Sequence, residues 1–399
     1  MSTKRSRNQW NNIQNEEKEN NSDEEFEIIL KAFCFTGMIF TPFKTIFSLK
    51  GFAILCLDII IETICVYFVF SNAIVTLIES PHSTGHAFIL SIANVIGLCM
   101  RIIIITKRGR IRKCSEIIFK LNQDMLPATE SKSLRKFGWI GSSFALIFPV
   151  GLMIVGFISR DFHCGLKRLT EIYFYTHRID SSSSIIISVL VVTFRTLNIL
   201  FIASVPMLTV VMCTFIFTRL RDINLNFLSL LQKSMDMKLP SKFFSDYTIF
   251  YGRITTAIEK AEKTLSLVSF FLYGYMLSCV FAVTSYMVTR SPETYNVAGI
   301  LFQSVIFIEM VGLFIFLSIR AASVNESAVE VKNLIHSLPA KRFDFDSNLT
   351  ATLLQLANNF ASEVCVTGWG LFTINRGFIL TTGGVVVTYG VILFQLGST

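Results

Sequence analysis

The chain has 399 residues, 52% of them hydrophobic and only 16% charged, with a mean hydropathy of +0.57. That balance excludes an ordinary soluble domain and points to an integral membrane protein. The net charge of +8 does not signal nucleic acid, because Lys and Arg lie between apolar runs and do not interleave with stacking aromatics.

Thirty-eight phenylalanines against eight prolines favour packed helices over a barrel, whose strands would alternate polar and apolar residues. The expected fold is an all-α integral membrane protein. Residues 1–25 are rich in Asn, Glu and Lys, cannot offset the entropy of ordering, and read as a disordered tail. They lack the apolar core of a cleavable signal peptide. Residues 26–50 are apolar but interrupted by Lys31, Pro42 and Lys44, which predicts an interfacial helix before the first span.

Seven long apolar runs follow, at 52–78, 86–106, 137–159, 185–217, 265–289, 296–320 and 367–396, each near or above the length that crosses a bilayer. Spans one to four thus occupy 52–217, spans five and six 265–320, and the seventh 367–396. About 27 of the 36 Lys and Arg residues fall before the first span, in 1–51, and in 107–136, 218–264 and 321–366, against about five on the other side. The positive-inside rule then puts the N-terminus in the cytoplasm and the C-terminus outside. The fourth run is too long to lie wholly in the membrane, and Glu259 and Lys263 at i,i+4 mark a solvated face before the fifth. Segments 218–264 and 321–366 are therefore expected to build a cytoplasmic helical layer.

Polar side chains inside the spans are the candidate sites, since each is costly against lipid. Arg195, with Asn198 beside it, needs a partner or a wet cavity near mid-membrane. Asn94, Tyr286, Gln303 and Glu309 join them as a candidate ligand pocket, against the alternatives of ordinary interhelical hydrogen bonds or an Arg195–Glu309 structural pair. The acids Asp58, Glu62 and Glu309 are too dispersed to nominate an acid–base pair. No nucleophile elbow, Walker loop or zincin motif is present, so no enzyme activity is expected. Nor do the five histidines pair with Cys or Asp at metal-ligand spacing, so no metal or other cofactor is expected. Of nine cysteines only Cys164 falls in a predicted outside loop, and the sequons at Asn20, Asn325 and Asn348 all fall on the inside. Arg376 reads as a snorkelling anchor at the inner leaflet.

The last run carries the most information. Thr381, Thr388 and Gln395 recur every seven residues, with Val385 and Ile392 on the same seam, and such spacing puts all five on one helix face. Either this seam faces a bundle interior or a water-filled path, or the threonines merely bond their own backbone and Gln395 sits among headgroups. Thr388-Tyr389, five apolar residues and Gln395 resemble the C-terminal TYxxxxxQ signature of the insect gustatory receptors, and Gly370–Thr381 resembles that family's approach to it. Leu396 stands where the family usually has Phe, as in the related odorant co-receptors.

The resemblance implies a ligand-gated, poorly selective cation channel in the plasma membrane of a sensory neuron. Its partners would be a small-molecule tastant, permeating cations, lipid and three further subunits joined by the cytoplasmic anchor layer. In that reading Thr381, Val385, Thr388, Ile392, Gln395 and Leu396 line the pore or gate, while Tyr389 bonds a neighbouring helix. A G-protein-coupled chemoreceptor and a secondary transporter fit the same hydropathy.

Overall fold

The structure is a computed structural model that describes residues 26–40, 49–79, 84–124, 131–158, 193, 197, 199–236, 241–289, 297–341 and 365–397. Within them a short helix α1 (26–35) precedes seven long ones: α2 (Leu49–Glu79), α3 (Thr84–Gln123), α4 (Ser131–Ile158), α5 (Ser204–Asp236), α6 (Ser241–Thr289), α7 (Val297–Lys341) and α8 (Arg376–Gly397). The seven correspond in order to the seven apolar runs, and the fold is an all-α seven-helix membrane fold.

Four of these helices outrun their apolar segments. The 49 residues of α6 extend about 74 Å at 1.5 Å per residue, more than twice the hydrocarbon thickness. It starts directly after Pro240, which cannot continue a helix from before it but is tolerated at a helix start. Two hydropathy edges drawn separately meet in space: Lys107 Nζ donates to the Thr264 carbonyl at 3.2 Å. Beyond that level α5, α6 and α7 pack on one another. Phe227 stacks on Tyr251 at 5.5 Å, and Asn224 Nδ2 donates to Ser327 Oγ at 3.0 Å. Glu259 and Lys263 form their i,i+4 ion pair on the solvated face.

Helix α5 is the axis of the bundle. Its sequence is apolar all round from Val205 to Phe217, so it has no solvent face to offer and is buried, 83% of its apolar window being covered by the rest of the chain. Helix α8 is also strongly apolar, yet only 6% of its apolar window is covered. That contrast places α8 on the outside of the protomer.

Two expectations are revised. Residues 26–40 do not simply lie on the bilayer surface: Phe26, Ile29, Leu30 and Phe33, an i, i+3, i+4, i+7 stripe, are buried, with Phe26 against Phe215 of α5. Helix α1 ends in a Schellman cap, with Met38 N donating to Phe33 O and Gly37 N to Cys34 O. Gly37 has φ +77°, and a Cβ there would lie 2.7 Å from Ile61 Cδ1, so the cap requires glycine twice over. The seventh segment, read as one run over 367–396, is a hairpin followed by a helix. Strands β1 (Thr367–Gly368) and β2 (Phe372–Thr373) pair antiparallel, and α8 begins only at Arg376. Glycines at 368 and 370 allow the turn that the apolar count concealed.

Candidate pore helix and its buried supports

The hairpin holds the inner end of α8 against α6. Trp369 N donates to Ser266 O at 3.0 Å, and both oxygens of Glu262 accept from Thr367 N, at 3.2 and 3.1 Å. Glu262 also accepts from the Thr367 hydroxyl. Burial pushes the Glu262 carboxyl above its ordinary range, and the Thr367 hydrogen bonds oppose that shift. Trp369 (φ 53°) and Gly370 (φ 69°) both occupy the left-handed region at the turn. The cost to Trp369 is offset by packing on Phe270 at 5.5 Å. Phe372 then stacks on Phe378 at 4.8 Å with an interplanar angle of 1°, and Tyr273 meets Phe378 edge-on at 5.3 Å.

Gly368 is the tightest point: a Cβ there would fall 2.2–2.6 Å from three atoms of the Phe372 ring. The ring is pinned by Phe378 and Tyr273, so Gly368→Ala should destabilise the protein by about 1–3 kcal/mol. The check is a lower melting temperature of the detergent-solubilised protein, with an unchanged midpoint counting against a rigid hairpin.

Asn375 caps α8, its Oδ1 accepting from Phe378 N at 2.8 Å. Arg376 is not a lone anchor. It forms a two-pronged ion pair with Glu326 of α7, Nε–Oε1 at 2.6 Å and Nη2–Oε2 at 2.9 Å, a partner the snorkelling reading did not name. Beyond this cap α8 presents three faces. Phe378, Thr382, Val386 and Tyr389 turn toward the protomer, where Tyr389 meets Phe281 of α6 at 4.6 Å. Leu380, Val387, Val391 and Phe394 form an exposed, wholly apolar strip. Between the two runs the seam of Thr381, Val385, Thr388, Ile392 and Gln395, every member exposed. Leu396 falls in the last turn.

The two seam threonines do what the plainer reading expects: Thr381 donates to Gly377 O at 3.0 Å and Thr388 to Gly384 O at 2.8 Å. Their protons are committed, while their oxygen lone pairs still face outward. Tyr389 turns away from the seam, as its offset of about 100° from Thr388 requires, but meets α6 through its ring.

Of the ligand-pocket candidates, Arg195 and Asn198 lie outside the described residues. Asn94 on α3, Tyr286 on α6, and Gln303 and Glu309 on α7 are all half-buried. Glu309 lies within electrostatic reach of Tyr275 and Cys279 of α6, and its Oε1 is buried without a hydrogen-bond partner among the described residues. These side chains lie on three helices, α3, α6 and α7.

What sequence reasoning missed is a ladder of ion pairs between α2 and α3. Two of the three acids set aside as dispersed meet an arginine: Glu62 Oε1 accepts from Arg101 Nε at 2.5 Å, and Asp58 Oδ2 from Arg108 Nη1 at 2.8 Å. Arg101 is fully buried and also donates to Thr36 O in the α1 cap and to Phe201 O at 3.0 Å. Phe201 lies in a π-helical turn, Ile199–Ala203, that leads into α5. Such a turn shifts the carbonyl register and leaves an oxygen available, so one guanidinium ties four elements together. The signal was present as two faces, acids four apart on one run and arginines seven apart on another.

This architecture is that of a multi-helix membrane receptor whose last helix is carried on the outside of the protomer. The chain belongs to the 7tm chemosensory receptor family, whose sequence model matches residues 29–399. The structure of the insect olfactory receptor OR5 from Machilis hrabei shares the fold with a TM-score of 0.63 at 14% identity, over 89% of this chain and 92% of that one. The same receptor in complex with eugenol gives 0.66 at 15% identity, over 95% and 99%. No curated protein matches the chain. The resemblance carried by Thr388, Tyr389 and Gln395 thus holds for the chemosensory receptor family.

Proposed function

We propose that this receptor is a ligand-gated, poorly selective cation channel of the gustatory kind, opened by a small tastant, with four copies setting α8 around a central path. The supporting observation is the exposure of α8: an apolar helix only 6% covered by its own chain needs company, and its polar seam is separate from its apolar strip. The seam suits a conduction path and the strip suits lipid or a neighbouring copy. In the plasma membrane of a sensory neuron, the charge distribution puts the N-terminus and the α5–α7 layer in the cytoplasm. That layer is the natural joint between subunits. The eugenol complex of OR5 supports a small-molecule ligand for this chain as well. Half-buried polar groups such as Asn94, Gln303 and Glu309, with Arg195 and Asn198, are its candidate contacts.

Single cysteines from Thr381 to Leu396, probed with a water-soluble thiol reagent during agonist current, test the reading directly. Block is expected at 381, 385, 388, 392 and 395 and not at 387 and 394. The reverse pattern would place the path on another face of α8 or elsewhere in the molecule.

A further inference from the structure

Four residues at the start of α4, Arg135, Lys136, Trp139 and Ile140, line an open groove of about 310 Å³. All four are exposed, Trp139 at 57% and Ile140 at 69%. Their spacing, 135 with 139 and 136 with 140, puts two cations one helical turn before two apolar side chains on one face.

The hydropathy edges give the depth of this cluster. Arg135 and Lys136 immediately precede the 137–159 run, so both cations sit where hydrocarbon gives way to headgroups. Trp139 and Ile140 lie one turn deeper. A tryptophan just inside a basic rim matches the interfacial belt of membrane proteins, while long cationic stems can follow apolar surface and keep their charge at the phosphate level.

We propose that this groove is a binding site for an anionic phospholipid of the cytoplasmic leaflet, its headgroup held by Arg135 and Lys136 and its upper acyl chain laid along Trp139 and Ile140. Charge complementarity selects this occupant: a zwitterionic lipid brings a choline that the two cations repel, whereas an anionic headgroup gains about five-fold in association per interfacial Lys or Arg. Only the orientation is taken from the channel reading. Lipid binding needs neither current nor tastant, so a receptor that binds the lipid but never conducts would overturn that reading and leave this site standing.

The chain has three tryptophans, Trp10, Trp139 and Trp369, so Trp10→Phe with Trp369→Phe leaves Trp139 as the only indole. Reconstituted into nanodiscs, this reporter is quenched by brominated phosphatidylserine or brominated phosphatidylcholine at equal mole fraction. The expected result is a relative association near Trp139 of roughly twenty-five-fold in favour of phosphatidylserine, about five-fold for each of the two cations, falling toward one in the Arg135→Gln/Lys136→Gln variant. Equal quenching by the two lipids, or a preference untouched by the double substitution, would overturn the site. Should Trp369→Phe disturb the hairpin, the wild-type chain compared with Trp139→Phe in the same nanodiscs gives the same ratio by subtraction.

Discussion

Arg101→Met is expected to cost the folded receptor about 3–5 kcal/mol, a large part of the stability of a typical domain. The substitution leaves the Glu62 carboxylate buried without its cation and removes the donor to Thr36 O and Phe201 O. It therefore releases the α1 cap, α2 and the π-helical turn from α3 at once. Fluorescence-detected size exclusion of the tagged receptor after a heating series should show the monodisperse peak lost at far lower temperature. Arg101→Met/Glu62→Leu should recover part of the loss, because removing both charges abolishes the desolvation penalty of the orphaned acid. Wild-type behaviour of Arg101→Met would mean that the ladder is not what holds these elements together.

Ile392→Ser is expected to raise ligand-independent current several-fold. In the proposed four-copy arrangement Ile392, 49% exposed in the single chain, would form the last wholly apolar ring before the outer mouth, and a ring of that kind closes a path by excluding water. A hydroxyl there lowers the cost of wetting. Gln395→Glu adds a ring of carboxylates where uncharged amides stand, and should raise calcium permeability relative to sodium. Current–voltage curves in bi-ionic solutions measure both effects. A silent Ile392→Ser channel with normal surface expression would remove Ile392 from the gate.

The parts legible in the sequence were those governed by one-dimensional physics. Span number follows from apolar length, helix overrun from runs too long for the bilayer, and the seam of α8 from a seven-residue recurrence that survives in the structure as one exposed face. The hairpin at 367–373 was hidden because Gly368, Trp369, Gly370 and Leu371 read as apolar, although two glycines flanking Trp369 signal a turn. The burial of α1 was obscured by Lys31, Pro42 and Lys44, while the stripe Phe26, Ile29, Leu30, Phe33 already marked a core-facing side. The Glu62–Arg101 and Asp58–Arg108 pairs depend on the register between two helices, which neither helix encodes alone. Nothing in Ile199–Ala203 marks the π-helical turn.

The charge ladder also constrains how the protein is made. Asp58, Glu62 and Arg101 lie within the first two spans and Arg108 at the edge, and each charge placed on an isolated span raises its insertion free energy by about 2.5–3.5 kcal/mol. Helices α2 and α3 are joined by residues 80–83 alone, a connection too short to let them part by much. Their charges cancel only when the two are side by side, so the pair is best released from the translocation channel as a pre-matched hairpin rather than as successive single helices. A nascent chain truncated between α2 and α3 would hold two uncompensated acids and should be retained by the insertion machinery until Arg101 emerges.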